Sequence, residues 1–354
     1  MSWPEERINR AFRVAQGQKL DALLLFSPEF ISYFSGFRGE GVLALGAGKG
    51  FLVSDGRFLT QAREEAPEFE FRLSRSWLSG TAELIGEKGF ARVGFEAEGI
   101  PYIGFQRLKE LSPGWELCPL GEELKNLRMV KEPGEIERIR RAIAIAEQAF
   151  DQIRPRIRSG GREREIALEF EYAARRLGSE NIPFETIVAS GPRSALPHAL
   201  PSDRILGEEE LIIVDYGARA GGYASDQTRT AWLGNGRGGR EENRIYQAVQ
   251  AAQKEAIAAV RPGVAARVVD RAARGRIAAG GWGEFFRHST GHGVGLAVHE
   301  APAISEDSEV ILEPGMVFTI EPGIYIPELG GVRIEDMVLV TAEGVEVLTS
   351  IRSD

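Results

Sequence analysis

The feature that most constrains this chain's fold is a pattern that occurs twice after residue 130. From Gly134, GEIERIRRAIAIAEQAF sets Ile136, Ile139, Ile143, Ala146 and Phe150 at helical spacing, so one apolar face runs along a long helix. RIRSGGREREIALEFEYAARRLG follows as a glycine-containing loop and a second helix stopped at Gly178. About a hundred residues later, REENRIYQAVQAAQKEAIAAVRPGVAARVVDRAARGRIAAGG again reads as helix, glycine loop, helix and glycine stop. Each helical pair leads into strand-like segments, ELIIVDYGARAGGYASDQTRTAWL in the first and GMVFTIEPGIYIPELGGVRIEDMVLV in the second. Internal similarity on this scale predicts two related halves packed around a shared site.

The preceding residues have another character. KLDALLLF is a short buried-strand run, GVLALGAGKGFLVSDGRF resembles a hairpin and turn, FLTQAREEA begins a helix, and ARVGFEAEGIPY adds a strand. Pro133 and Gly134 punctuate the start of the repeat. The expected organisation is therefore an α/β domain over residues 1–125 and a second domain over 126–354, which suits a chain of 354 residues.

The strands of the repeat carry acids where a core would exclude them. A tight turn at Ala220–Gly221 in LIIVDYGARAGGYASDQTRT would set Asp215 opposite Asp226. A turn centred on Glu328 in TIEPGIYIPELGGVRIEDM, with Gly330 and Gly331 assisting the reversal, sets Glu321 opposite Glu335. Opposed carboxylates repel, and burying four of them bare costs several kcal/mol each, so they require protons or cations. Any one of these acids alone fits a solvated strand face; four in two independent hairpins do not. Oxygen-rich ligands suit Mn²⁺ or Co²⁺, and four carboxylates with one imidazole suffice for two ions and a bridging water or hydroxide.

Histidine is sparse, with four in the chain. His288, His292 and His299 fall within RHSTGHGVGLAVHE, and His198 lies upstream in SGPRSALPHALPS. VHEAPAI lacks the second histidine of a zinc-protease helix, no GxSxG elbow occurs, and GHGVG lacks the lysine of a phosphate loop. The glycines of GHGVG are expected to let backbone approach a metal-bound group closely. The single cysteine, Cys118, excludes an internal disulfide and is expected to be a buried packing thiol. A net charge of −9 disfavours nucleic acid and anionic membrane as partners. No apolar run nears the roughly 20 residues of a membrane span, and MSWPEERINRAFRV has no signal-peptide core. A cytoplasmic, soluble protein is expected.

Together VDYG…SDQTRT, HSTGHGVGLAVHE, TIEPGIYIP and GVRIEDMVLV resemble the pita-bread metallopeptidases, the group of methionine aminopeptidase, aminopeptidase P and prolidase. LDALLLFSPEFISYFSGF and FLVSDGRFLTQA look like the N-terminal domain of prolidases and aminopeptidases P, and ASGPRSALPHA and GGVRIED resemble short bacterial and archaeal prolidases. The resemblance covers nearly the whole chain. It implies an α/β (α+β) class, with a creatinase/prolidase-like N-terminal domain and a duplicated ααββ catalytic domain. It implies five metal ligands, Asp215, Asp226, His292, Glu321 and Glu335, with Asp226 and Glu335 bridging two divalent ions: Mn²⁺ or Co²⁺, with Zn²⁺ the other candidate. All five are present, which argues against the creatinase branch, where the set is not retained. Gln227 replaces a usual Ile or Met, and Ala297 a frequent Glu; neither is a ligand position.

The activity implied is hydrolysis of the Xaa-Pro bond by a metal-bridged hydroxide, on dipeptides first and, as the alternative, on longer peptides as in aminopeptidase P. A non-catalytic peptide-binding protein on the same fold is the remote alternative. By the same resemblance Glu321 takes the nucleophile's proton, and His198 and His299 contact the scissile group. His288 would orient substrate or a ligand, or give structural support. Arg333 would hold a substrate carboxylate or brace the metal carboxylates. Tyr223 is expected to pack rather than line the site. The implied partners are short proline-containing peptides and, as a homodimer, a second copy of the chain.

Overall fold

The computed structural model describes residues 3–46, 48–234 and 239–350. The chain divides into two compact units, residues 1–128 and 129–354. No helix among the described residues is long and apolar enough to cross a membrane.

The first unit is a six-stranded mixed sheet with helices. Its strands are β1 (Ala22–Leu25), β2 (Val42–Gly46), β3 (Lys49–Ser54), β4 (Glu70–Leu73), β5 (Arg92–Glu96) and β6 (Glu116–Leu120), in the order β4-β3-β2-β1-β5-β6. The continuous apolar run ALLL of β1 is buried along its whole length, as a central strand must be. The expected β2–β3 hairpin forms with Val42 opposite Val53, although Ala47 near its tip lies outside the described residues. The helices are α1 (Trp3–Gly17), α2 (Pro28–Ser35), α3 (Leu59–Glu65), α4 (Trp77–Lys88), α5 (Tyr102–Leu111) and α6 (Glu122–Met129). Leu24, Phe51, Val53, Leu84, Val93 and Leu108 form the core of this unit. Cys118 is half-buried on β6 rather than enclosed, because its strand lies at the sheet edge.

The second unit contains the repeat. α7 (Pro133–Ile153) opens on a capping box between Glu132 and Glu135 with Pro133 at its first position. Its face of Ile139, Ile143, Ala146 and Phe150 is buried, each large side chain contributing roughly 1.5–3 kcal/mol. α8 (Glu163–Arg176) packs on it, and both cover β7 (Ile187–Ser190), β8 (Glu210–Tyr216) and β11 (Gln227–Leu233), ordered β11-β8-β7. The short β9 (Arg219–Ala220) and β10 (Tyr223–Ala224) close the hairpin between β8 and β11.

In the second half, α9 (Arg240–Ala259) and α10 (Ala266–Ala279) pack together and against the strands that follow. Those strands are β12 (Gly291–Gly293), β13 (Glu300–Ile304), β14 (Val317–Ile320), β15 (Gly323–Ile326), β16 (Gly330–Arg333), β17 (Asp336–Val340) and β18 (Val345–Val347). Five form a sheet in the order β13-β12-β14-β17-β18, and β15 pairs with β16. Val249, Ala252, Val269, Ile277, Phe318 and Ile320 lie in the core of this half.

The two hairpins differ in how closely they follow expectation. The second has the expected register: Gly323 opposes Arg333 and Ile320 opposes Asp336, which brackets Glu321 against Glu335. The first is shifted by two residues. Its turn is Gly221–Gly222, both with positive φ, and Asp215 opposes Thr228 rather than Asp226. A turn with two left-handed residues is open to adjacent glycines and closed to Ala220, which explains the shift.

Candidate active site

The site is assembled from chain segments that end or kink where the two halves meet. Asp215 lies near the end of β8, Asp226 just before β11, Glu321 between β14 and β15, and Glu335 between β16 and β17. His292 is the middle residue of β12, whose ladder with β13 breaks register after it. The flanking glycines serve the strands: a Cβ on Gly291 would lie 1.8 Å from the Thr319 carbonyl oxygen, and one on Gly293 would lie 2.2 Å from that of Ala301. They admit neighbouring backbone rather than a bound group, which corrects the expectation from sequence.

All five residues line one cavity of about 390 Å³, together with His198, His288, His299 and Arg333. Ligand atoms of Asp215, Asp226 and Glu335 lie within 4.8 Å of one another, as do those of His292, Glu321 and Glu335. Glu335 belongs to both groups, and Asp226 and His292 each belong to one of them and to a third. A third such group is Asp226, His292 and His299, so His299 also stands close enough to take part. Phe184, Ile187, Pro197 and Leu200 give the cavity apolar wall, and Glu185 stands among them.

The carboxylates are held by few donors. Arg333 Nη2 donates to Asp215 Oδ2 at 2.6 Å, and Thr228 Oγ1 donates to Glu335 Oε2 at 2.6 Å. Thr319 Oγ1 donates to Glu321 Oε1 at 3.3 Å and accepts from His292 N at 3.1 Å. Asp215 Oδ1 and Glu335 Oε1 are buried with no hydrogen-bond partner among the described residues. Burial and the neighbouring carboxylates push Asp226 and Glu335 well above the usual carboxyl range. Burial pushes Glu321 up to about 7, with Arg333 opposing.

His292 points the same way. Its Nδ1 donates to the Gly293 carbonyl at 3.1 Å, so Nε2 presents a lone pair. That nitrogen lies 3.3 Å from Glu321 Oε1 and 3.6 Å from Asp226 Oδ2. Burial lowers the imidazole to about 4, so it is neutral, and a neutral lone pair facing two carboxylates is unfavourable unless a proton or cation lies between them. Orphaned carboxylate oxygens, a lone pair aimed among them and a donor set of four carboxylates and an imidazole fit divalent ions.

Arg333 and His288 belong to one hydrogen-bond chain. Arg333 Nε donates to Thr228 Oγ1 at 3.0 Å, and Nη1 donates to the Pro197 carbonyl at 3.0 Å and to the Tyr325 hydroxyl at 2.9 Å. Tyr325 in turn lies 3.0 Å from His288 Nε2, and His288 Nδ1 donates to the Ser289 carbonyl at 2.8 Å. That leaves the Tyr325 hydroxyl as donor to a neutral His288, whose imidazole burial lowers to about 4. His198 is exposed at the cavity. The His299 ring lies 4.1 Å from that of His292, and burial lowers its imidazole below the ordinary range.

Two residues at the site, Thr228 within SDQTRT and Tyr325 within TIEPGIYIP, receive no role from the sequence. Alternation along GIYIP puts Tyr325 on the same face as Gly323, whose partner across the ladder is Arg333, which is the one available signal. Tyr223 is buried with its hydroxyl donating to Glu135 Oε1 at 2.8 Å, in keeping with a packing role. Gln227 is sealed on the face that carries Tyr216, which it opposes across the ladder.

Known proteins resemble this chain over nearly its whole length. Residues 137–342 match metallopeptidase family M24, and residues 7–130 match the creatinase/prolidase N-terminal domain. An Xaa-Pro dipeptidase of Pyrococcus furiosus is 38% identical, covering 98% of each chain. Among solved structures, an Xaa-Pro dipeptidase from Bacillus anthracis superposes with a TM-score of 0.94 at 36% identity, covering 99% of each chain. An X-Pro aminopeptidase from Thermotoga maritima superposes with a TM-score of 0.91 at 35% identity, covering 98% of each.

Proposed function

The chain belongs to metallopeptidase family M24, and from that premise we propose that it hydrolyses the bond between an N-terminal residue and proline, with Xaa-Pro dipeptides as its substrates. One observation carries the reading: four carboxylates and a neutral histidine converge in a cavity with buried carboxylate oxygens left unpaired. Asp215, Asp226, His292, Glu321 and Glu335 are the ligands assigned to two divalent ions, Mn²⁺ or Co²⁺ for preference and Zn²⁺ otherwise. When bound, such ions supply an acidified water and polarise a carbonyl oxygen.

The protein's own groups account for the rest. Proline gives a tertiary amide without an N–H, so the leaving nitrogen must gain a proton. Glu321 takes the proton from the attacking water, and His198 and His299 hold the scissile carbonyl and help deliver a proton to that nitrogen. Phe184, Ile187, Pro197 and Leu200 offer an apolar surface for the pyrrolidine ring. Arg333 braces Asp215, and His288 supports it through Tyr325. A cytoplasmic homodimer is the form assigned by family likeness.

A second reading, action on longer Xaa-Pro peptides, has its own support. Among the described residues that line the cavity, Arg333 is the only arginine or lysine, and it is bonded to Asp215, Thr228, Tyr325 and Pro197. A dipeptide's carboxylate would have little of it to bind. Assay of Ala-Pro beside Xaa-Pro-Xaa tripeptides with added Mn²⁺ separates the two. Cleavage of tripeptides alone favours the second reading, and cleavage of neither overturns both.

A further inference from the structure

Each half has one buried carboxylate outside the ligand set on its second helix, at different positions: the repeat matches Glu163 to Ala266, four residues before Asp270. Glu163, the first residue of α8, is fully buried. Its Oε1 accepts from Ser190 N at 2.8 Å and Ser190 Oγ at 2.9 Å. Its Oε2 accepts from Ser202 N at 3.1 Å, Ser202 Oγ at 2.6 Å and Arg193 Nε at 3.0 Å. Arg193 also donates to the Leu200 carbonyl. Both ends of the segment 190–202, which carries His198, are thus tied to one side chain.

Asp270, one turn inside α10, is also fully buried. Its Oδ1 accepts from Thr290 N at 3.2 Å, Thr290 Oγ1 at 2.8 Å and Arg274 Nη2 at 2.9 Å, and its Oδ2 accepts from Arg274 Nε at 2.9 Å. Arg274 donates onward to the carbonyls of Phe286 at 3.1 Å and His288 at 2.9 Å. Thr290 opens the stretch that runs through His292 to His299, and its own carbonyl accepts from Glu321 N at 2.8 Å.

The parts are alike in kind though not in number, since Glu163 holds two serines and Asp270 one threonine. Each half has a sealed acid on its second helix, hydroxyl residues (Ser190 and Ser202, or Thr290) whose N–H and O–H both reach that acid, and an arginine linking the acid to a carbonyl of the histidine-bearing segment. A carboxylate with four or five donors is fully compensated and fixes the backbone it binds. That matters most where function needs side chains held to about 0.5 Å. We propose that Glu163 and Asp270 are positioning residues, one for the segment bearing His198 and one for the segment bearing His288, His292 and His299.

The halves then differ in what each acid controls. The Glu163 segment holds no assigned ligand, so its loss displaces His198 while leaving the ions' ligands in place. Asp270 secures the strand of His292 and the backbone of Glu321, so its loss loosens ion binding. The activity half of this inference rests on the proposed peptidase function; the ion-binding half does not.

The test is Mn²⁺ affinity by titration calorimetry beside kcat and KM for Ala-Pro, in Glu163→Gln and Asp270→Asn. Supporting tissue of this kind is worth about 10–100-fold in affinity or activity. Glu163→Gln is expected to lower kcat by about that factor with Mn²⁺ affinity unchanged, and Asp270→Asn to weaken Mn²⁺ binding by about that factor. If either variant unfolds, Ser202→Ala and Thr290→Val remove one donor each and should give the same division in weaker form, with Ser202→Thr restoring kcat. Equal Mn²⁺ affinities in the two variants, or wild-type kcat in Glu163→Gln, would overturn the proposal. A wild-type protein that binds Mn²⁺ but leaves Ala-Pro and tripeptides intact would refute the peptidase reading, while the Mn²⁺ comparison would still decide the role of Asp270.

Discussion

Arg333 donates to Asp215 across 2.6 Å, with side chains only 4% and 12% exposed, and the same guanidinium reaches Thr228, Tyr325 and the backbone of the His198 segment. One cation therefore ties Asp215 of the first hairpin, and through Thr228 Glu335 of the second, to the loop that carries a cavity histidine.

Replacing that fork by Met in the metal-free protein leaves Asp215 buried without its partner, and a loss of about 3–5 kcal/mol is expected in urea unfolding. Arg333→Lys keeps the charge but cannot reach three further acceptors, so its kcat should fall about 10–100-fold. A Lys variant with wild-type kcat would show that the fork geometry is not required.

His288 sets an acid limit on stability. Its folded-state pKa lies at about 4 against an ordinary 6.5, so the native state refuses a proton that the unfolded chain accepts. The stability this contributes is complete above about 6.5 and is lost as pH falls towards 4. His288→Gln should flatten the decline of the unfolding free energy over that interval, measured by urea titration at several pH values. An unchanged slope would contradict the assigned neutral state.

Metal loading should release protons. Glu321 at about 7, with Asp226 and Glu335 also raised by burial and neighbouring carboxylates, means that the metal-free native state holds protons that the unfolded chain gives up. For Glu321 the associated stability is complete below about 4.5 and lost as pH rises through about 7. Mn²⁺ must displace those protons, so its affinity should rise with pH from 6 to 8, with proton uptake by the buffer visible in calorimetry. Affinity independent of pH would show that the carboxyls are already ionised without metal.

Lys131 and Glu300 form a second sealed ion pair at 2.9 Å, with side chains 1% and 6% exposed, directly beside His299. Lys131→Met should destabilise by about 3–5 kcal/mol, and adding Glu300→Leu should recover much of that, since replacing both charges is often neutral. Thermal melts of the two single variants and the double variant give the coupling. Additive losses would mean the pair does not act as a unit.

The legibility of this molecule followed the range of its contacts. The helical repeat, the β2–β3 hairpin and the register that sets Glu321 against Glu335 all depend on residues close in sequence, and each could be read there. The first hairpin slipped by two because Ala220 and Gly221 look as suitable for a turn as Gly221 and Gly222 until the positive φ at both turn positions is considered. Thr228 and Tyr325 sit inside motifs without a role there, and Glu163 and Asp270 lie outside any motif. Their significance comes from partners that only folding brings close, such as Thr228 with Glu335 and Glu163 with Ser190.

The most direct test is to titrate metal-free protein with Mn²⁺ while following release of proline from Ala-Pro. Two bound ions per chain, with hydrolysis absent before the addition and appearing as they bind, is the predicted result. Hydrolysis at full rate without metal, or two bound ions with neither Ala-Pro nor Xaa-Pro-Xaa cleaved, would contradict the account.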